Sequence, residues 1–269
     1  MSIEQNRENR IVIRIGRHHL SFSTVTPTQV EAPIAYEPYV IKSGISLPAN
    51  LREALKSADL PLTGIRKALV MVDAPVLLVP VELFEEEHIA EMYSHSFPQK
   101  EKDQLFFNVL PDLNAVAVFA ISKDLNTVLS DNFQHLRIST ILAPVWQHLH
   151  RRSFTGNRNK LYGYLHDQKL EIFSFRQNRF KFYNQFETSH AYDVLYFLLY
   201  VWKQQQLNPE YDELHLVGEL PEQEWLVGEL RKYLQNVYVI NPSAEFNRAP
   251  ATKIKGMPFD LMTLLTKGR

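Results

Sequence analysis

Three stretches decide the fold: Leu161-Tyr162-Gly163-Tyr164-Leu165, Leu170-Glu171-Ile172-Phe173-Ser174-Phe175 and Phe180-Lys181-Phe182-Tyr183-Asn184-Gln185-Phe186. Each carries side chains with a period of two, the signature of a strand. The polar turns His166-Asp167-Gln168 and Arg176-Gln177-Asn178-Arg179 separate them, so the three strands follow one another as hairpins. Thr188 or Ser189 is placed to cap a helix running to about Gln206, apolar at Val194, Leu195, Leu198 and Trp202. Asn208-Pro209 ends it, and Glu213 to Gly218 reads as the next strand. Pro221 then opens a helix with Glu222 and Glu224 at its positive end, and Val237 to Ile240 is a last strand stopped by Asn241-Pro242.

Working outward, the first part of the chain repeats this order. Ile11, Val12, Ile13, Arg14 and Ile15 form a strand, Gly16-Arg17-His18-His19 a turn, and Leu20 to Ser23 a second strand. Tyr39-Val40-Ile41 is a third extended piece, and Pro48 to Ala58 a helix with Leu51, Ala54 and Leu55 at helical spacing. Ala68-Leu69-Val70-Met71-Val72 is apolar throughout, as a strand buried on both faces must be. Strand, strand, strand, helix, strand therefore occurs twice.

A different block lies between the copies. Val76 to Val81 is a strand, Glu85 to Met92 an acidic helix, and Gln104 to Leu110 and Ala115 to Ile121 two strands around the turn Pro111-Asp112-Leu113-Asn114. A helix from Asp124 to Phe133, a short strand Ile138 to Leu142 and a helix Trp146 to Arg152 follow. Thr155-Gly156-Asn157-Arg158-Asn159 is the most loop-like stretch. It divides the chain into halves at 1–155 and 156–269, with an insertion at about 82–135. Pro258 to Lys267 predicts a terminal helix with Leu261, Leu264 and Leu265 on one face.

Composition sets limits on function. The 269 residues carry 29 Lys plus Arg against 30 Asp plus Glu, a net charge of −1, which excludes a chain-wide basic or acidic binding surface. Without cysteine there is no disulfide, no thiolate nucleophile and no Cys-ligated metal. The first ten residues are too polar for a secretory signal, and the most apolar run, Val194 to Trp202, is nine residues long. A membrane-spanning helix needs about 20. The expectation is a cytoplasmic α/β protein.

The two units of three strands, helix and strand resemble the actin-like ATPase superfamily, built from two ribonuclease-H-like halves. Ile11 to Arg17 is similar to its first phosphate motif, apolar residues then Asp, apolar, Gly and Thr or Ser. Leu216-Val217-Gly218-Glu219 is similar to its adenosine motif, an apolar strand ending in Gly-Gly. The strand, Pro80 and acidic helix of the middle block are similar in order to the pilus-assembly and cell-division actin-like proteins. The chain as a whole, over about residues 9–245, resembles an uncharacterised bacterial family of unknown function with an actin-like fold. The resemblance implies a nucleotide between the halves, with the first-strand Asp serving a divalent metal.

The residues at those positions differ. Arg14 stands where the Asp belongs, and a guanidinium cannot ligate a metal. The matching Asp-apolar-Gly of the second half falls at Tyr164-Leu165-His166, which has neither carboxylate nor glycine. Without glycine the backbone cannot approach phosphates closely. The adenosine motif keeps Gly218 but carries Glu219 in place of its second glycine. We therefore assign no catalytic residue and no metal ligand, and expect no cofactor. Arg14, Gly16, Arg17, Gly218 and Glu219 are the degenerate nucleotide positions.

Other chemistry is sparse. His18 and His19 are adjacent in a turn, and His148 and His150 lie two apart on a helix, about 200° around its axis, so neither pair converges on a metal. The one positive oddity is charge segregation. Residues 136–183 hold nine basic positions (Arg137, Arg151, Arg152, Arg158, Lys160, Lys169, Arg176, Arg179 and Lys181) against Asp167 and Glu171, a net +7, whereas 210–229 hold seven carboxylates and no Lys or Arg. Either the segments neutralise one another across the fold or a homodimer, or the basic one binds nucleic acid. The leading expectation is a non-catalytic actin-like scaffold that binds a protein partner, through the inserted subdomain. The alternative is an ATPase or phosphotransferase whose phosphate contacts are rebuilt around Arg14 and Arg17, with ATP and magnesium as its cofactors.

Overall fold

The computed structural model describes residues 10–25, 34–60, 64–98 and 102–266. The extreme N-terminal residues and Lys267, the expected end of the last helix, lie outside them. The chain forms two compact units, one of 1–110 with 116–143 and one of 111–115 with 144–269. Among the described residues no helix is long and apolar enough to cross a membrane.

In the first unit, β1 (Arg10–Ile15), β2 (His19–Val25) and β3 (Ile34–Val40) are antiparallel neighbours. Helix α1 (Leu47–Ser57) returns the chain to β4 (Lys67–Val72), which pairs parallel with β1. A second crossover runs through β5 (Val76–Pro80), α2 (Ile89–Ser96), β6 (Asp103–Leu110), β7 (Ala115–Ser122) and α3 (Lys123–Asn132). It ends in β8 (His135–Thr140), parallel to β4. The sheet order is β3-β2-β1-β4-β8, while β5, β7 and β6 form a separate three-stranded sheet. That small sheet has its own core of Val79, Ile89, Tyr93, Val116 and Val118. β4 is parallel on both sides and covered on both faces, which is why 68–72 is apolar without alternation.

The second unit contains α4 (Leu142–Ser153), β9 (Lys160–His166), β10 (Lys169–Arg176), β11 (Arg179–Glu187), α5 (Ala191–Gln204), β12 (Glu213–Gly218), α6 (Gln223–Leu230), β13 (Asn236–Val239), α7 (Pro242–Glu245) and α8 (Phe259–Thr266). Its order, β11-β10-β9-β12-β13, copies the first sheet strand for strand. One face, with Leu161, Leu165, Leu170, Ile172, Leu214, Leu216 and Val237, packs on α5 and α6. Gly163 permits that approach: a Cβ there would lie 2.9 Å from the Leu216 side chain and 3.2 Å from that of Leu198.

The other face is aromatic. Tyr183, Phe173, Tyr162, His215 and Tyr238 stand opposite one another in register, one from each of the five strands. Trp146 of α4 closes over it, edge-on to Phe180 and Tyr183 at 5.2 and 5.1 Å. The aromatic alternation of 161–186 thus fills a core. Lys160, held below the usual lysine range by burial, donates to the carbonyls of Arg152 and Thr155 and so caps the end of α4.

Several expected boundaries shift. The helix after β11 is capped by His190 rather than Thr188 or Ser189. Asp193 accepts the Ser189 and His190 amides at 2.8 and 2.9 Å, so the cap comes from inside the helix. Those two bonds hold the Asp193 carboxyl below its ordinary range. Pro221 does not open α6: Glu222 takes a left-handed φ of 44°, and the helix starts at Gln223. The acidic stretch from Glu85 makes one 3-10 turn, and α2 begins only at Ile89, whose side chain is buried. The linking helix starts at Leu142, four residues before Trp146.

Asn108 joins the small sheet to β8. Its carboxamide oxygen accepts the Thr140 amide and the Ser139 hydroxyl, both at 3.0 Å, and its nitrogen donates to the Ile138 carbonyl at 3.0 Å. Asn108→Ala should lower the stability of the first unit by about 1–3 kcal/mol, since three polar groups lose their partner together. Urea unfolding at constant m-value checks this.

Candidate functional site

Arg14 lies on β1 between Ser21 of β2 and Met71 of β4 and is 4% exposed. A buried guanidinium is a fixed cation with donors only. Gly16 follows it, and its amide donates to the His19 carbonyl at 2.9 Å, closing the β1–β2 turn. Arg17, His18 and His19 project from that turn, exposed.

In the second unit the two stretches read separately from sequence meet. Leu165 of β9 is in register with Gly218 of β12, and the Glu219 amide donates to the Leu165 carbonyl at 2.9 Å. The approach is so close that a Cβ on Gly218, at φ 99°, would sit 2.0 Å from that oxygen. Gly218 is therefore glycine for the sake of strand closure. Beside it the Tyr164 hydroxyl donates to Asp260 of α8 at 2.8 Å, both buried. His166 stacks on Tyr164 with ring centroids 4.8 Å apart and places Nε2 3.3 Å from Glu171 Oε1. A pocket of about 220 Å³ opens at this end, with Leu165, His166, Lys169, His190, Glu219 and Pro221 on its wall. It occupies the carboxyl ends of parallel strands, where α/β sheets receive ligands. Small-molecule sites are usually about 300–1,000 Å³.

The first unit has the same closure. Ile15 of β1 is in register with Val72 of β4, and the Asp73 amide donates to the Ile15 carbonyl at 2.9 Å. Asp73 and Glu219 are thus equivalent, as are Arg14 and Tyr164. Asp73 went unread because an isolated Asp after an apolar strand looks like a turn residue. Aligning 68–73 with 214–219 would have found it.

A second polar group escaped sequence reading because its members lie far apart in the chain. His148 Nε2 is 2.7 Å from Glu245 Oε1, and Arg152 donates to the other oxygen of that carboxylate. Burial raises the Glu245 carboxyl, but the His148 hydrogen bond and the Arg152 charge outweigh it and leave it below its ordinary range. His215 Nε2 meets Glu213 at 2.9 Å, while Nδ1 is buried without a partner among the described residues. Burial in the aromatic ladder holds His215 below the usual imidazole range, so it is neutral. Arg152, Glu213, His215, Tyr238, Asn241 and Glu245 line a cleft of about 540 Å³. His148 and His150 diverge as expected: His150 Nε2 turns to the Gln177 carbonyl at 2.9 Å.

The basic segment is distributed. Arg152 pairs with Glu245, Arg158 lies 3.8 Å from Glu213, and Arg151 lies 3.8 Å from Asp112. Lys160 and Lys169 are buried, and Arg137 belongs to the other unit. Part of the opposite charge of 210–229 is used within the fold: Asp212 accepts from Asn159 and from the Asn208 amide, and Glu213 from His215.

Residues 1–237 match the family described as protein of unknown function (DUF3822). The chain belongs to that family. Among solved structures it is similar to a Bacteroides thetaiotaomicron protein with an actin-like ATPase fold and unknown function, at 27% identity and a TM-score of 0.84, over 99% of this chain and 98% of that one. The fold is actin-like. A chain of the PilM–PilN type IV pilus biogenesis complex shares it at 16% identity and a TM-score of 0.60, over 97% of each chain. No curated protein matches significantly in sequence. In this family member both sheets share one strand order, and an amide–carbonyl bond closes the first parallel pair of each.

Two measurements follow. Gly218→Ala should cost roughly 2–4 kcal/mol, because a Cβ meets a backbone carbonyl that cannot move aside. His215→Gln should flatten the dependence of stability on pH. With its folded pKa lowered, His215 contributes stability in full above the unfolded imidazole value of 6.5, and that contribution falls as pH drops toward the folded pKa. The difference in urea midpoint between pH 7.5 and 5.5 should therefore shrink in the variant.

Proposed function

We propose that this chain is an actin-like protein-interaction module that does not hydrolyse nucleotide. The observation that carries the reading is Arg14, a buried guanidinium at the position where the actin-like resemblance puts the metal carboxylate. Metal-assisted phosphoryl transfer needs a carboxylate or water shell around the cation, and a fixed positive charge repels it. Three further features support the reading. The Gly16 and Glu219 amides are spent on protein carbonyls, which leaves neither to cradle a phosphate. Tyr164 and His166 hold bulky buried rings where a phosphate loop would carry carboxylate and glycine. Glu219 brings a negative side chain to the end of β12. These residues do not fit a magnesium–nucleotide. What remains is two sheet units, each with surfaces suited to a partner. PilM, similar in fold, is named in a complex with PilN, and a protein partner is the role we carry over.

Thermal unfolding tests this. A ligand at about 100 times its Kd stabilises by about 2.7 kcal/mol, worth roughly 5–10 °C in a chain of this size. With 1 mM ATP and magnesium the melting temperature should stay unchanged. A rise of several degrees that Arg14→Ala abolishes would establish the rebuilt nucleotide site instead.

A further inference from the structure

On a helix that covers one face of a sheet, the outward side is normally charged. α5 breaks that pattern. Val194, Leu198, Val201 and Trp202 face the core, but the outward positions at i, i+4 and i+8 are Tyr192, Tyr196 and Tyr200, which are 67%, 62% and 47% exposed. Tyr196 and Tyr200 stack at 6.0 Å, and Tyr192 meets Trp225 of α6 with ring centroids 4.4 Å apart. The four rings form one aromatic strip. Within α5 itself the only charged side chains are Asp193, engaged in the cap, and Lys203 at the far end. Solvent gives no reason for such a strip, whereas Tyr and Trp are the residues on which interfaces are anchored.

The charge beside the strip selects its occupant. Glu222 and Glu224 lie at the N-cap and in the first turn of α6, just ahead of Trp225, are exposed, and among the described residues are in no ion pair. They belong to the segment 210–229, which holds seven carboxylates and no Lys or Arg. The other carboxylates whose partners are known, Asp212, Glu213 and Glu229, are used within the fold. We infer that the Tyr192–Tyr196–Tyr200–Trp225 strip, with Glu222 and Glu224 at its end, is the docking surface for a basic peptide segment of a protein partner. Lys and Arg stems would lie along the rings, their cations over the ring faces or paired with the two carboxylates. An acidic or uncharged peptide gains neither contact. The inference rests on reading the chain as a protein-interaction module and names the surface and the partner's chemistry.

The test is titration of the full chain with a 12-residue peptide of Lys and Leu, followed by calorimetry and by tryptophan fluorescence, in low and in 0.5 M salt. Trp225 is the reporter, since Trp146 and Trp202 are buried. Binding should weaken about tenfold in Tyr192→Ser/Tyr196→Ser and in Glu222→Lys/Glu224→Lys, and should fall in high salt. Circular dichroism melts should show both variants folded, because the changed side chains are exposed. Leu83→Ser, on the small sheet's exposed turn, should bind as the parent does. Four results would overturn the assignment: equal binding by the tyrosine variant, loss of binding only in Leu83→Ser, equal affinity for the same peptide with Glu replacing Lys, or a fluorescence change that tracks self-association of the chain. The nucleotide melt is independent of all of these, so failure of this surface leaves the non-hydrolysing reading standing.

Discussion

A parallel strand pair cannot be closed by a hairpin; it needs a crossover that runs behind the sheet. That constraint organises both units. β1 and β9 each pair antiparallel with the strand that follows and parallel with the strand beyond the first helix. Each unit therefore has one hairpin edge and one crossover edge, with the first strand between them. The far end of each parallel pair is sealed by the same bond, an amide given by Asp73 or Glu219 to the carbonyl of Ile15 or Leu165. In the second unit the strand end turns at Gly218 with a φ of 99° against the Leu165 carbonyl, so glycine there is a steric requirement, whereas the first unit makes the same bond beside Val72.

The two faces of the second sheet do different work. The α5 and α6 face is mostly aliphatic, with Trp202 among its leucines and valines, and forms a hydrophobic core. The opposite face is a ladder of rings with titratable groups set into it: His215 between Tyr162 and Tyr238, His166 on Tyr164, Glu171 beneath His166. Burial raises the Tyr162 phenol and lowers the His215 imidazole, so both stay neutral. The charged residues around it, Arg152, Glu213 and Glu245, pair at its rim. That arrangement accounts for the segregated charge in the sequence: a +7 stretch and an acidic stretch are partly joined by Arg158 and Glu213.

How much of this was legible varies by element. Strands read well wherever one face met solvent or a helix of different chemistry, because period two survives; 161–186 is the clearest case. The duplicated order followed from the same pattern, and the resemblance built on that order implied the actin-like fold. Helix starts read poorly. Asp193 caps α5 from its third position, and Glu222 adopts a left-handed conformation that no propensity favours, so Thr188, Ser189 and Pro221 misled. The pairing of Glu245 with His148 and Arg152 could not be read at all, since nothing local ties residue 245 to residue 148.

By itself the sequence determined the alternation of apolar and polar side chains, hence the strands, their two repeats and the absence of thiol chemistry. It also placed Arg14, His166 and Glu219 at the positions where the actin-like resemblance implies carboxylate and glycine. Only the tertiary structure decided that Leu165 and Gly218 touch, that the rings of five strands fall into one ladder, and that Tyr192, Tyr196 and Tyr200 are left in solvent while their neighbours are buried. Periodicity records which residues share a face. Which faces are then covered depends on contacts between segments distant in sequence, and no local pattern encodes those.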